Sequence, residues 1–358
     1  MKKLLITLLL LIPINVHAYS TSAVSSVLMD TDSGRVIYAK NSHNIQSVAS
    51  ISKIMTAIIA IENINIKTKV TIGDEINEAY GSGIYIKKGE KLTIEDLLYG
   101  LMLRSGNDAA LAIAKHTFGS VDEFVKKMNE KAAEIGMNDT TFNNPSGLDE
   151  EKGNFSSAYD MCLLMSYAMH SSDFRRITGT KKYTLKTNKN IYVWHNKNKL
   201  LNSYKYTTGG KTGFTKIAKR TLVTSASKSG LNLTAVTLND GNDWSDHKKL
   251  YEEAFKSYKS YKILNKGYIS VLGENYYENN KLYLKHNFKY PLLNSEKDNI
   301  KLKFKIEKIR NPKNNEKVGK VEVFLADKKI KTENIYLEIK HIPKKNLIEE
   351  IKDRITND

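Results

Sequence analysis

The sequence predicts an α+β fold in two parts, an antiparallel sheet with a helical subdomain followed by a small β-rich domain. Two observations carry this. Strand-like segments lie at both ends of the stretch from Ser25 to about Tyr258, with helix-like segments between them. After Tyr261 the pattern changes: Leu302/Phe304/Ile306, Val321/Val323/Leu325 and Ile335/Leu337/Ile339 alternate with other residues, the period of strands with one solvated face.

Taken in order, residues 1–18 come first. Lys2 and Lys3 precede an apolar run from Leu4 to Ile12, and Val16-His17-Ala18 closes it, the layout of a secretory signal cut after Ala18. The run is too short to span a bilayer comfortably. "SSVLMD" and "RVIYAK" flank Asp32-Ser33-Gly34 and read as a β-hairpin. Residues 50–63 read as a buried helix. "LTIEDLLYGLMLRS" reads as a second helix, with Thr93 and Asp96 near a capping box. Further helices are expected over 108–117, 122–135, 157–170 and 244–258. Strands are expected at "KYTLKT", "NIYVWHNK", "TTGGKTGFT", "RTLVTSA" and "LNLTAVTLN", the last two joined by the turn Lys228-Ser229-Gly230. The expected domains are thus a signal peptide at 1–18, a large domain at 19–260, a β-rich domain at 262–340 and a tail at 341–358.

The chain carries 56 Lys and Arg against 39 Asp and Glu, a formal charge of +17. No aromatic-studded RNA motif or DNA-reading basic helix accompanies this charge, so nucleic acid is not expected as a partner. For an exported chain, anionic wall polymers or a membrane surface fit better. The single cysteine, Cys162, cannot form an internal disulfide and sits in the apolar stretch "YDMCLLMSYAMH", where it reads as a core residue. The eight histidines show no metal-ligand spacing, so neither metal nor cofactor is expected. In the tail, Leu347, Ile348, Ile351 and Ile355 could share one helical face, but the charges balance and no aromatic is present; loose or absent membrane contact is expected.

"VASISKIMTA", residues 48–57, places Ser50 and Lys53 three apart in an apolar helix start. Residues so spaced are neighbours on a helix surface. Serine needs a base to become a nucleophile, and lysine becomes one when burial and nearby cations keep it neutral. The spacing alone is weak, since Ser225 and Lys228 share it on a strand running into a turn. Two further motifs follow in order: Ser105-Gly106-Asn107 between two helices, and Lys211-Thr212-Gly213 on a glycine-flanked strand.

With these three motifs the sequence resembles the penicillin-recognising serine enzymes. "GSGIYIKKGEKLTIEDLLYGLMLRSGNDAA", "NEKAAEIGMNDTTFNNPSGLDE", "SAYDMCLLMSYAM" and "NKLL" are similar to low-molecular-weight D-alanyl-D-alanine carboxypeptidases, over about residues 24–260. The resemblance implies a β-lactamase/transpeptidase-like fold and roles for the motif residues. Ser50 would attack the carbonyl between two D-alanines and form an acyl-enzyme, with Lys53 taking its proton. Ser105 and Lys211 would pass a proton to the leaving amine. Asn107 would bond the substrate amide, Lys211 and Thr212 would hold the terminal carboxylate, and Gly213 would let the substrate lie along the strand edge. The oxyanion hole would be the backbone N–H groups of Ser50 and Phe214. The implied partners are peptidoglycan stem peptides and β-lactams, in the periplasm or on the outer face of the cytoplasmic membrane.

Some features depart from that pattern. Phe214 stands where some relatives have histidine, but its role is a backbone one. Arg220 reads better as a solvated strand residue than as a carboxylate ligand. Asp149 and Asp160 read as structural. Glu150 and Glu151 lack the following Leu-Asn that a β-lactamase of class A would need. A DD-endopeptidase would use the same machinery, and a non-catalytic wall-binding scaffold would have no use for three intact motifs.

Overall fold

The computed structural model describes residues 19–148 and 153–339. The expected signal segment, Asp149 to Glu151 and the tail at 341–358 therefore lie outside the described residues. The chain divides into two units, with the break between Ser257 and Tyr258.

In the first unit, β1 (Ser25–Asp30) and β2 (Val36–Lys40) form the expected hairpin. The helices are α1 (Lys53–Asn63), α2 (Ile94–Tyr99), α3 (Asn107–Phe118), α4 (Val121–Ile135), α5 (Ala158–Ala168), α6 (Ser172–Gly179) and, after a one-turn segment at Leu200–Ser203, α7 (Asp243–Ser257). Strands β3 (Lys182–Lys186) and β4 (Ile191–His195) pair only with each other. The long strands are β5 (Thr207–Thr215), β6 (Lys219–Lys228) and β7 (Leu231–Leu238). They join the first hairpin in an antiparallel sheet of order β2-β1-β7-β6-β5. The single expected sheet thus loses one hairpin. Alternation marks β3 and β4 as strands, but it carries no information on which strand each will pair with.

Both faces of this sheet are covered. Val223 and Val236 belong to the large apolar cluster with the helices, whereas Thr224 and Thr237 contact His247 of α7. Alternate residues of one strand thus serve opposite layers. His247 is fully buried between those hydroxyls, and burial lowers its pKa to about 3, so it is a neutral packing residue. Cys162 is likewise buried on α5, with its Sγ 3.5 Å from the Thr234 carbonyl oxygen and its thiol pKa pushed up by burial. Asp160 is structural, accepting from the Asp139 amide at 2.7 Å and the Thr140 hydroxyl at 2.8 Å.

The second unit is all-β among the described residues apart from a short 3₁₀ turn. Strands β8 (Tyr258–Leu264) and β11 (Phe288–Leu293) pair with each other. Strands β9 (Gly267–Ile269), β10 (Lys281–Leu284), β12 (Ile300–Ile306), β13 (Lys317–Leu325) and β14 (Lys328–Glu338) form a sheet of order β9-β10-β14-β13-β12. Val321, Val323, Ile335 and Leu337 are fully buried, on the predicted alternation. Leu302 departs from it, at 42% exposed on the edge strand β12.

Candidate active site

The three sequence motifs converge on one cleft. Ser50 lies in a 3₁₀ turn, Ala49–Ser52, that leads into α1. The expected helix therefore starts with a tighter turn, and Ala49 sits at φ 51°, a left-handed conformation that costs a residue with a Cβ. The loop at 144–148 abuts this turn: a Cβ on Gly147, at φ 79°, would fall 2.1 Å from the Ala49 carbonyl oxygen. Thr56 Oγ1 also donates to the Pro145 carbonyl at 2.6 Å. The loop is thereby fixed with the Ser146 carbonyl aimed at Lys53.

Lys53 is fully buried at the first turn of α1. Its Nζ lies 3.1 Å from Ser50 Oγ and 2.7 Å from Asn107 Oδ1, and it also donates to the Ser146 carbonyl. Asn107 Nδ2 donates to the Tyr80 carbonyl at 2.6 Å, which fixes the amide with its oxygen toward Lys53. Both Asn107 Oδ1 and Ser146 O accept only. A neutral amine has two N–H groups and one lone pair. Once the two carbonyls take the N–H groups, the lone pair is left for the Ser50 hydroxyl. Burial, followed by the positive charge of Lys197, lowers the Lys53 pKa to about 7, so the neutral amine is accessible near neutral pH.

Ser105 follows a π-helical turn, Gly100–Arg104, that extends α2, and sits at φ 68° and ψ 35°. The predicted second helix thus has two parts, begun by the complete Thr93/Asp96 capping box. The left-handed Ser105 turns the chain sharply into α3, where Asn107 is the first residue. Lys211, 1% exposed on β5, lies with its Nζ 3.0 Å from Ser105 Oγ and donates to its neighbour's carbonyl, Thr212 O, at 2.6 Å. Burial first, then Lys53 and Lys197, holds its pKa well below the usual lysine range. Each ammonium group disfavours the charge of the other in such a site.

Gly213 is required by close approach. A Cβ there would meet Thr221 Oγ1 at 2.3 Å, Ser50 N at 3.1 Å and Ile51 N at 3.2 Å. The strand therefore lies directly against the turn that carries Ser50. Thr221 Oγ1 donates to the Val48 carbonyl at 3.0 Å, tying β6 to the same turn. Phe214 is 66% exposed and pairs in register with Arg220.

The cleft has a volume of about 430 Å³, and its lining includes Ser50, Ser105, Thr212, Lys197, Arg220 and Trp244. The reading of Arg220 as a merely solvated strand residue needs correction. Its Nε donates to Asp243 Oδ2 at 3.1 Å, an Nη donates to Oδ1, and the guanidinium lies 5.8 Å from the Trp244 ring centre. A strand position facing a cleft looks like one facing water in sequence, because both favour polar residues. Sequence reasoning also missed Lys197, the Ser146 carbonyl and Asp243. A backbone acceptor has no sequence signature, and the partners of Arg220 lie 23 and 24 residues downstream in a helix start. Among the described residues, no group of three His, Cys, Asp or Glu side chains is placed to hold a metal ion.

A buried amine with its lone pair on a serine hydroxyl, beside a cationic, strand-edged cleft, can perform acyl transfer on a substrate with an anionic end. Comparison with known proteins agrees with this chemistry. A family model described as D-alanyl-D-alanine carboxypeptidase matches residues 13–242, and one described as Penicillin-binding protein 5, C-terminal domain, matches residues 258–341. A curated relative, the D-alanyl-D-alanine carboxypeptidase DacF of Bacillus subtilis, is 36% identical over 251 residues, covering 67% of this chain and 64% of the relative. The D-alanyl-D-alanine carboxypeptidase DacD of Escherichia coli is 29% identical over 345 residues, covering 89% of this chain and 87% of that protein. Among solved structures, penicillin binding protein 5 from Haemophilus influenzae aligns with a TM-score of 0.76 at 27% identity, covering 90% of this chain and 98% of that one.

Proposed function

This chain belongs to the D-alanyl-D-alanine carboxypeptidase family, and from that premise we propose that it removes the terminal D-alanine from peptidoglycan stem peptides through an acyl-enzyme on Ser50. The observation that carries the reading is the Lys53 amine, whose two N–H groups are taken by carbonyl oxygens while Ser50 Oγ lies 3.1 Å away.

In this reading Lys53 takes the Ser50 proton as Oγ bonds to the carbonyl carbon of the penultimate D-alanine. The backbone N–H groups of Ser50 and Phe214 hold the oxyanion. The C–N bond to the terminal D-alanine then breaks. Its nitrogen receives a proton through Ser105, which Lys211 holds in place. Water hydrolyses the Ser50 ester and returns the free serine. Asn107 orients the substrate amide, and Gly213 lets the peptide lie against β5. The terminal carboxylate rests on the Thr212 hydroxyl, with positive charge from Lys211 behind it. Arg220 strengthens this anion site: Asp243 engages Nε and one Nη, and the other Nη serves the substrate. β-Lactams place a strained amide at the same serine and acylate it.

Residues 1–18 act as a signal peptide, so the enzyme works outside the cytoplasmic membrane. The catalytic domain runs over 19–260, the β-rich domain over 262–340 serves as an appendage, and the tail at 341–358 adds at most a weak membrane contact. No helix among the described residues is long and apolar enough to cross a membrane.

D-Alanine release from diacetyl-L-Lys-D-Ala-D-Ala tests the proposal. Wild type should release it and Ser50→Ala should not. Release by neither protein would refute carboxypeptidase action on this peptide and favour an endopeptidase or a wall-binding scaffold.

A further inference from the structure

A second cleft, of about 310 Å³, adjoins the active site across Tyr80 and Asn107. Asn107 belongs to both structures: its Oδ1 accepts from Lys53, and its side chain also lines this second cleft. The first cleft is lined by Ser82 and Ser105, the second by Tyr80 and Asn107, so neighbouring residues of the same two segments line both. The positive wall at Thr212 and Arg220 takes the carboxylate end of a substrate. In the carboxypeptidase reading above, Asn107 orients the substrate amide, so the acyl portion leaves Ser50 toward Asn107.

The chemistry of the second cleft is unusual for this chain. In a protein with 56 basic residues against 39 acidic ones, its lining among the described residues includes no lysine or arginine and one carboxylate, Glu78. The rest combines aliphatic surface from Leu111, Val121, Pro145 and Leu148 with the amides of the 143–144 turn. Glu78 ends the short 3₁₀ segment Asp74–Glu78 and is exposed at the rim. Aliphatic walls with one carboxylate at the mouth match a side chain that has a methylene stem and a charged amine at its end.

We propose that this cleft receives the side chain of the residue preceding the two D-alanines, and that Glu78 selects a side chain bearing a free ammonium. The inference rests on the carboxypeptidase reading above. It makes the enzyme a reader of the amine state of the stem peptide: strands with the amine free are trimmed faster than strands whose amine has been acylated in a cross-link.

The test compares two peptides at pH 7.5, Nα-acetyl-L-Lys-D-Ala-D-Ala with its side-chain amine free and the Nα,Nε-diacetyl form. Wild type and Glu78→Gln are assayed for D-alanine release, with acylation by a fluorescent penicillin as a check on folding. Wild type should favour the free amine in kcat/KM by about three- to tenfold, the scale of one accessible ion pair. Glu78→Gln should bring the ratio close to one, chiefly by lowering kcat/KM for the free-amine peptide. A wild-type ratio of one, or a preference that survives in Glu78→Gln, would overturn the proposal while the carboxypeptidase reading stood. Absence of release from both peptides by an enzyme that still takes up penicillin would overturn the two together.

Discussion

The two units use lysine in opposite ways. In the catalytic unit, Lys53 and Lys211 are 0% and 1% exposed. Each lies close to a serine hydroxyl, and each has its pKa lowered by burial. In the β-rich unit, Lys305, Lys320 and Lys329 reach Glu322 at 2.7, 3.8 and 3.6 Å and keep solvated, charged heads. Lys301, Lys303 and Lys305 alternate with Leu302, Phe304 and Ile306, so the strand period turns the lysines outward. Lys53 has no such escape, because α1 is buried continuously from Lys53 to Ala60. The residue type is the same; burial lowers the pKa of one, while the others pair with a carboxylate at the surface.

The sharpest way to break this contrast is to remove the group that the buried lysine serves. Ser50→Ala should lower D-alanine release by on the order of 10⁴-fold or more, and the intact-mass adduct with penicillin should vanish. Next comes the lysine itself. Lys53→Arg keeps a cation that cannot deprotonate in a protein, and kcat/KM should fall by about 10²- to 10⁴-fold. Lys303→Arg, the same change in the β-rich unit, should leave it unaltered. A third effect comes through the strand. Gly213→Ala puts a Cβ 2.3 Å from Thr221 Oγ1, so acylation should slow and stability should drop by about 1–3 kcal/mol in a denaturant melt.

The electrostatic setting of Lys53 predicts a smaller change. If Lys53 is the base, as proposed, it acts deprotonated, and kcat/KM should rise with pH through an inflection near 7. Lys197 is a cation that disfavours the charged form of Lys53. Removing it in Lys197→Gln lets Lys53 hold its proton more tightly, so the inflection should move to higher pH. A shift to lower pH would contradict the assigned cause. The smallest effect belongs to Lys305→Gln, which removes one of three cations around Glu322 and should alter neither the pH profile nor kcat/KM.

The motif residues are legible in the sequence because three short motifs, each weak by itself, stand in the order and separation that resemble the penicillin-recognising serine enzymes. Ser50, Lys53, Ser105, Asn107, Lys211 and Gly213 meet in one place as that chemistry demands. The surroundings were less legible. The Ser146 carbonyl that positions Lys53 belongs to a residue 93 positions away and contributes only backbone. Arg220 reads as solvated because its face of the strand borders a cleft instead of a core. Hairpin β3–β4 shows the same limit for topology: alternation identifies its strands, while its pairing depends on contacts the local sequence does not encode.

Cys162 gives the molecule a built-in clock. It is the chain's only thiol, and it is fully buried between α5 and β7. A maleimide added to the folded protein therefore finds nothing to label. Labelling at Cys162 must wait until α5 lifts from the sheet, so its rate under native conditions times the opening of the catalytic core. Any cysteine placed on the surface would be tagged against a silent background, with no need to remove the natural one.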